Sequence, residues 1–334
     1  MHSLTRQTLE KFQVLVYLTA IGCGLTVGIF LPGWVGIFDT LLWPILALLL
    51  YTTFTQVPLV HLRQAISDTR FLKSAVIGNF LLIPALVWGT MYFLPIDPAI
   101  RLGILLVLLV PCTDWFVTFT HLGGGDTEYA IAFSPISLLL QIAFLPFYLW
   151  LFLGETFVVT VARQEMIAAF AGLIVLPLMG AFITEKWVEK TPGKVELLDN
   201  LAWLPVPFLG LVVFIIAATQ VNLVTASFGI LGQLLLVFVG FLVIAGLSAR
   251  ALAHFFGLPT SQGRVLAFSL GTRNSFVVLP LALALPPSYD VAVVAIVFQS
   301  LVELLGMVVY LWWVPKKLFP QPNESAMERS GSNE

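Results

Sequence analysis

The chain alternates long apolar runs with short polar connections rich in Pro, Gly, Asp and Lys. A helix that spans a bilayer needs about 20 mostly apolar residues. Ten runs meet that requirement, near residues 14–31, 41–60, 73–94, 101–120, 129–153, 166–184, 203–221, 229–248, 264–285 and 290–314. The longest polar connection is 185–202, and residues 320–334 are polar enough to form a disordered tail. The starts of the first five runs recur in the last five, with offsets between 152 and 163 residues. Five is an odd number, so the second set would enter the membrane from the opposite side. The pattern predicts an all-α membrane protein of ten transmembrane helices, an inverted five-plus-five repeat with units at 1–160 and 161–319.

Composition agrees with a lipid solvent. Hydrophobic residues make up 59% of the chain and charged residues 10%, against about 25% charged in soluble domains. Mean hydropathy is +0.99. The net charge of −2 gives no electrostatic reason to expect nucleic acid as a partner. The two cysteines, Cys23 and Cys112, both lie in apolar runs, which argues against a disulfide framework. The first apolar run lacks a small-residue cleavage site and reads as a retained helix.

Lysine and arginine set the expected orientation. Arg6 and Lys11, then Arg63, Arg70 and Lys73, then Lys186, Lys190 and Lys194, then Arg250 and Arg264, and last Lys316, Lys317 and Arg329 all fall on the side of the N-terminus. Only Arg101 and Arg163 fall on the other side, and Arg273 lies within a span. This bias predicts cytoplasmic termini.

Two spans are interrupted. Pro111-Cys112-Thr113-Asp114-Trp115 breaks the fourth, and Gly271-Thr272-Arg273-Asn274-Ser275 breaks the ninth at the equivalent position. Proline removes a backbone donor and clashes with the preceding turn. Paired breaks in corresponding spans of two halves point to a midplane binding site; a plain kink is the competing reading of each. Three charged residues sit inside spans: Asp114, Arg273 and Glu303. Each costs roughly 2.5–3.5 kcal/mol at a helix centre, so pairing or function is expected. Asp114 and Arg273 occupy the two breaks and are natural partners, as a structural salt bridge or as part of a site. Glu303, beside Gln299 and Ser300 in the tenth span, could carry a proton in one state and release it in another; a hydrogen-bonded structural role is the alternative. Its repeat mate is Gln141. Cys112 directly follows Pro111, where the start of a half-helix would suit a sulfur ligand for a thiophilic solute; elsewhere a lone membrane cysteine is usually packing. His121, Asp126 and Glu128 flank Gly123-Gly124-Gly125, but a flexible loop is a poor frame for a metal, and none is expected. No Walker, Rossmann or HExxH pattern occurs, which excludes transport driven directly by ATP within this chain and gives no reason to expect a cofactor or an enzyme.

Pro111-Cys112-Thr113, Gly125-Asp126 and Gln141, then Thr272-Arg273-Asn274-Ser275 with Leu281-Ala282-Leu283-Ala284, and Leu301-Val302-Glu303 resemble the arsenical-resistance arsenite permeases of the bile acid:sodium symporter superfamily. The resemblance covers all ten spans in order. It implies panel and core domains, with the fourth and ninth spans crossing at their unwound centres. It also places the family's essential cysteine and glutamate on Cys112 and Glu303. The sodium-coupled branch has a glutamate and a glutamine where this chain has Ser269 and Arg273. A guanidinium there repels a cation and argues against sodium coupling. Asp114-Trp115 departs from the arsenite permeases, which the resemblance would give smaller, uncharged residues after the Cys-Thr pair.

The expected function is proton-coupled efflux of trivalent arsenic, as arsenite or antimonite, across the inner cell membrane. Cys112, Thr113, Asp114, Arg273, Asn274 and Ser275 would surround the substrate, Glu303 would exchange the proton, and Gln141, Gln299 and Ser269 would support them. Two alternatives stay open: a carrier of a small organic anion held by Arg273, and a sensor or scaffold that has lost transport.

Overall fold

The computed structural model describes residues 12–58, 68–91, 97–160, 168–191, 193–221 and 228–321. Most of the tail expected at 320–334 lies outside the described residues, as do parts of several predicted connections. The described chain is all-α: α1 Gln13–Phe30, α2 Val35–Phe54, α3 Thr69–Ile77, α4 Ile83–Met91, α5 Pro98–Leu108, α6 Trp115–Leu122, α7 Thr127–Thr160, α8 Leu176–Lys190, α9 Val195–Leu201, α10 Pro205–Thr219, α11 Phe228–Phe255, α12 Thr260–Gly271, α13 Ser275–Leu283 and α14 Asp290–Trp313. Among the described residues seven helices are long and apolar enough to cross a membrane. Leu15–Phe30 and Pro98–Leu108 are shorter apolar helices. The predicted ninth span is divided between α12 and α13, each too short to cross alone. The outer faces of α8 and α11 expose Met179, Phe182, Ile183, Leu235, Leu236, Val239, Val243 and Leu247, an apolar surface of the kind that faces lipid.

Helix ends follow local chemistry where hydropathy is uniform. The second span begins six residues earlier than the apolar run suggested, at Val35, behind a 3-10 turn that starts with Pro32. It stops at Phe54 because Pro58 disfavours helical backbone just before it. The sixth span continues to Lys190, since Thr184-Glu185-Lys186-Trp187-Val188-Glu189-Lys190 keeps good helix formers beyond the apolar stretch.

The π-helical segments lie beside prolines. Gly78–Leu82 links α3 to α4 just before Pro84, Phe170–Val175 leads into α8 before Pro177, and Val314–Leu318 contains Pro315. A proline cannot bond to the carbonyl four residues back, and a widened turn relieves the clash. The carbonyl left over by Pro84 is that of Phe80, and the Tyr148 hydroxyl of α7 donates to it.

Two groups of helices emerge from the packing. α1 and α2 both pack on α10, and α2 also packs on α8. α5 packs on α14, α11 on α12, α13 on α14, and α6 on both α7 and α12. Fewer contacts join the groups, chiefly α13 against α2. α5 is apolar and buried along Leu102–Leu108, and Gly103 lets it approach the backbone of Ala292. α1 approaches α10 just as closely. A Cβ at Gly24 would fall on the Phe214 carbonyl, and one at Gly28 on the Ala218 carbonyl. Small residues four apart allow this in membranes.

Replacing Gly28 with Leu is therefore expected to destabilise the protein by about 1–3 kcal/mol through overpacking. Gly22→Ala on the same helix, where a Cβ meets nothing within 4 Å, is expected to be neutral or slightly stabilising. Thermal unfolding of the two variants in detergent checks the contrast.

Candidate functional site

α5 ends at Leu108 and α6 begins at Trp115, while α12 ends at Gly271 and α13 begins at Ser275. The residues between leave the helical path and meet each other. Pro111 and Arg273 form an isolated antiparallel bridge. The Cys112 amide donates to the Thr272 carbonyl at 3.2 Å, and the Asn274 amide donates to the Val110 carbonyl at 2.7 Å. These bonds bracket the Pro111–Arg273 pair, so proline occupies the one register position where its partner asks for no N–H. Backbone at membrane depth must be satisfied within the protein, and each break supplies what the other lacks.

Side chains complete the accounting. Ser134 of α7 donates to the Thr113 carbonyl. The Arg273 amide donates to Glu303 Oε2 at 2.8 Å, and Gln299 Nε2 donates to the same oxygen at 2.7 Å. Ser275 donates to Gln299 Oε1 at 2.7 Å. Asn274 caps α13 by accepting from the Val277 amide at 3.4 Å, and its own amide nitrogen donates to the Thr113 hydroxyl at 3.4 Å. Of the ten residues singled out in the sequence, five form one hydrogen-bonded chain, Ser275, Gln299, Glu303, Arg273 and Ser269, and Thr113 and Asn274 form a separate pair beside it.

The Arg273 guanidinium, 2% exposed, is directed at carbonyls. It donates to Leu108 at 3.3 Å, Ser269 at 3.0 Å and Leu270 at 2.8 Å, and to Asn79 Oδ1 at 2.9 Å. Asn79 in turn donates to the Ser269 hydroxyl at 2.9 Å. The Phe241 ring covers the guanidinium, 5.4 Å from carbon to centroid. The cation therefore takes up the terminal carbonyls of both α5 and α12, where the helix dipoles end negative. The salt bridge expected with Asp114 is replaced by these acceptors; the acidic charge that reaches Arg273 is that of Glu303.

Asp114 occupies the position before α6, yet its side chain does not cap the helix. Cys112 Sγ donates to Asp114 Oδ1 at 3.1 Å instead. Cys112 thus sits within the break and not at the start of the half-helix, as its place after Pro111 had suggested. Gln141, the expected mate of Glu303, is buried on α7, and neither of its amide atoms has a protein hydrogen-bond partner.

A cavity of about 300 Å³ reaches this crossover. Thr113, Asp114, Trp115 and Ser134 line it together with Gln13, Gln56, Pro58 and Pro205. Cys112 is 2% exposed and does not line it. Trp115 stacks on Tyr17 of α1 at 6.3 Å and meets the edge of Phe276 at 5.3 Å. The two helix groups are therefore joined beside the cavity by aromatic rings. Ser134, Phe241, Tyr17, Gln13 and Gln56 were not singled out for the site. Only Ser134 carried a readable signal, seven residues before Gln141 and on the same helical face.

Arg273→Met is expected to destabilise the protein by about 3–5 kcal/mol, because Glu303 and the carbonyls lose their buried cation. Adding Glu303→Gln should recover part of that loss, with a coupling of about 1–3 kcal/mol. Additive losses in thermal unfolding would mean that the two charges act independently.

The chain is also similar to known proteins. A family model described as Sodium Bile acid symporter family matches residues 43–227. The arsenical-resistance protein Acr3 of Corynebacterium glutamicum is 22% identical over 309 residues, which cover 86% of this chain and 82% of that protein. With the family model covering more than half of the chain, and with apolar helices fit to cross a bilayer, the protein belongs to the Sodium Bile acid symporter family and is a multi-pass membrane transporter.

Proposed function

We propose that this transporter exports trivalent arsenic, as arsenite or antimonite, in exchange for protons. The observation that carries the reading is the grouping of the site: Thr113 and Asp114 line the cavity, the Cys112 thiol donates to Asp114, and Glu303 accepts from the Arg273 amide of the partner break. A single thiol suits a carrier, because capture by three would hinder release. Glu303 exchanges the proton. The Glu303 charge reaches Cys112 and Asp114, so protonation and substrate binding can influence one another. The relative's name, arsenical-resistance protein, supports the substrate class.

The same reading takes the chain as ten spans in an inverted five-plus-five repeat, with units at 1–160 and 161–319. The helix group of α1, α2, α8 and α10 would serve as the panel and the remaining spans as the core. Both termini would face the cytoplasm of the inner cell membrane. The cavity then opens inward, since Gln13, Gln56 and Pro205 lie at the helix ends nearest the lysine- and arginine-rich connections. Organic-anion transport has weaker support. It needs Arg273 in the cavity, whereas Arg273 is committed to four oxygen acceptors, and among the described residues the ionisable group that lines the cavity is Asp114.

Inverted membrane vesicles with an imposed pH gradient are expected to accumulate arsenite, and Cys112→Ser and Glu303→Gln to abolish accumulation. A correctly folded wild type that moves no arsenite would sink the reading. Replacing sodium with potassium should leave the rate unchanged, because the Arg273 guanidinium and the Asn79–Ser269 pair fill the place argued above for a cation. A sodium requirement would contradict that assignment.

A further inference from the structure

Basic residues are unevenly compensated along the chain. Residues 228–289 contain no Asp or Glu, and neither do residues 304–321. Arg250, Lys316 and Lys317 fall in these stretches, and all three are exposed. The fold brings them together, because Arg250 Nη1 donates to the Lys317 carbonyl at 3.3 Å. The buried Arg264 holds the same segment. Its Nε and Nη2 donate to the Phe319 carbonyl at 3.1 and 2.9 Å, and its Nη1 to the Gly124 carbonyl at 2.9 Å. Backbone carbonyls carry no net charge, and among the described residues no carboxylate pairs with Arg250, Arg264, Lys316 or Lys317. Two acids do approach the start of α12. Asp68 accepts there from Gln262, Tyr129 and two backbone amides, and Asp126 from the Glu128 amide. By contrast, Lys186, Lys190 and Lys194 alternate with Glu185, Glu189 and Glu196.

The surroundings of the cluster are apolar. α11 exposes Val239, Val243 and Leu247 ahead of Arg250, and α14 exposes Leu305, Val308, Val309 and Trp312 ahead of Lys316. Both sets recur at helical spacing and form stripes. The two helices are joined along their length: the Tyr310 hydroxyl donates to the Leu242 carbonyl, and the Trp313 ring fills the space that Gly246 leaves. From Phe228, α11 rises about 33 Å to reach Arg250. The hydrocarbon core of a bilayer is about 30 Å thick, which puts the cluster at the level of the headgroups.

We infer that Arg250, Lys316 and Lys317 form a binding site for a phospholipid whose headgroup carries net negative charge. The phosphate engages the three cations, and the acyl chains lie along the exposed stripes of α11 and α14. Charge complementarity selects the headgroup: a zwitterionic lipid brings its own cation beside the phosphate and gains less from the cluster. The stripes favour a lipid over a soluble anion, because only the lipid also covers apolar surface. Arg250 suits the role, since the Lys317 carbonyl takes one of its five donors and a guanidinium matches two phosphate oxygens at once. A lipid seated there ties α11 to the segment after α14. That segment is tied in turn through Phe319 and Arg264 to α12, which leads into the crossover. The inference does not depend on what the protein carries.

The experiment mixes the full-length protein, in a neutral detergent, with equal amounts of phosphatidylglycerol and phosphatidylcholine of the same acyl chains. Native mass spectrometry identifies the first lipid retained. The wild type is expected to retain phosphatidylglycerol over phosphatidylcholine by at least about tenfold. A variant combining Arg250→Gln, Lys316→Gln and Lys317→Gln should fall to within about twofold of parity. Lys316→Gln with Lys317→Gln keeps the Arg250 bond to the main chain and should lose most of the preference, which covers the case of a triple variant that fails to fold. A variant combining Lys186→Gln, Lys190→Gln and Lys194→Gln removes the same formal charge elsewhere and should keep the wild-type preference. A wild type near parity overturns the inference. So does a preference that survives in the patch variants, or one that is lost equally in the variant at 186–194. The chain's own Glu324 and Glu328 are the competing occupants. A preference that emerges only in Glu324→Gln with Glu328→Gln assigns the cluster to them and overturns the lipid.

Discussion

A backbone amide or carbonyl in the middle of a bilayer has no water to turn to, and an unpartnered group there costs several kcal/mol. Breaking one spanning helix creates several such groups at once. Here two helices are broken at the same depth, and each repairs the other. Cys112 and Asn274 donate to Thr272 and Val110, and Pro111 falls where no donor is called for. The close approach of α5 to α14 at Gly103 and the direction of Glu303 toward the Arg273 amide both follow from keeping these short segments in register.

The repair also decides which side chains are left for chemistry. Arg273, Asn79 and Ser269 satisfy helix ends and each other, and Gln299 and Ser275 hold Glu303. Thr113 is held by Asn274 and Ser134. Asp114 and Cys112 bond to one another on the cavity side of this framework. A polar scaffold thus carries this hydrogen-bonded pair at its edge. The aromatic contact of Trp115 with Tyr17 places that edge against the other helix group, where packing is sparser and relative motion is easiest.

Much of this was legible in the sequence. The apolar runs overlap the seven helices that, among the described residues, are long and apolar enough to cross a membrane, and the paired Pro and Gly interruptions located the crossover, because both signals are local and strong. The family resemblance carried by Cys112, Arg273 and Glu303 is borne out at the level of the family. Pairing was less legible. Opposite charges in two breaks suggested Asp114 with Arg273, but a guanidinium beside two helix ends finds carbonyl acceptors that leave no mark in sequence, since every residue has one. Span ends were also hidden where hydropathy is uniform, as at the start of α2, and only Pro32 and Pro58 marked them. The engagement of the Phe80 carbonyl by Tyr148 needed the fold, since the two lie 68 residues apart.

One consequence concerns voltage. With Asp114, Arg273 and Glu303 all ionised, the crossover carries one net negative charge, and a single added proton makes it neutral. A membrane potential does about 2.3 kcal/mol of work on each charge carried across 100 mV. Any displacement of the crossover through the field is therefore electrically driven in its unprotonated form and electrically silent once protonated. The permanent cation at position 273 sets that balance: with a neutral residue there, the same proton would leave the crossover charged, and the silent and driven forms would no longer be one proton apart.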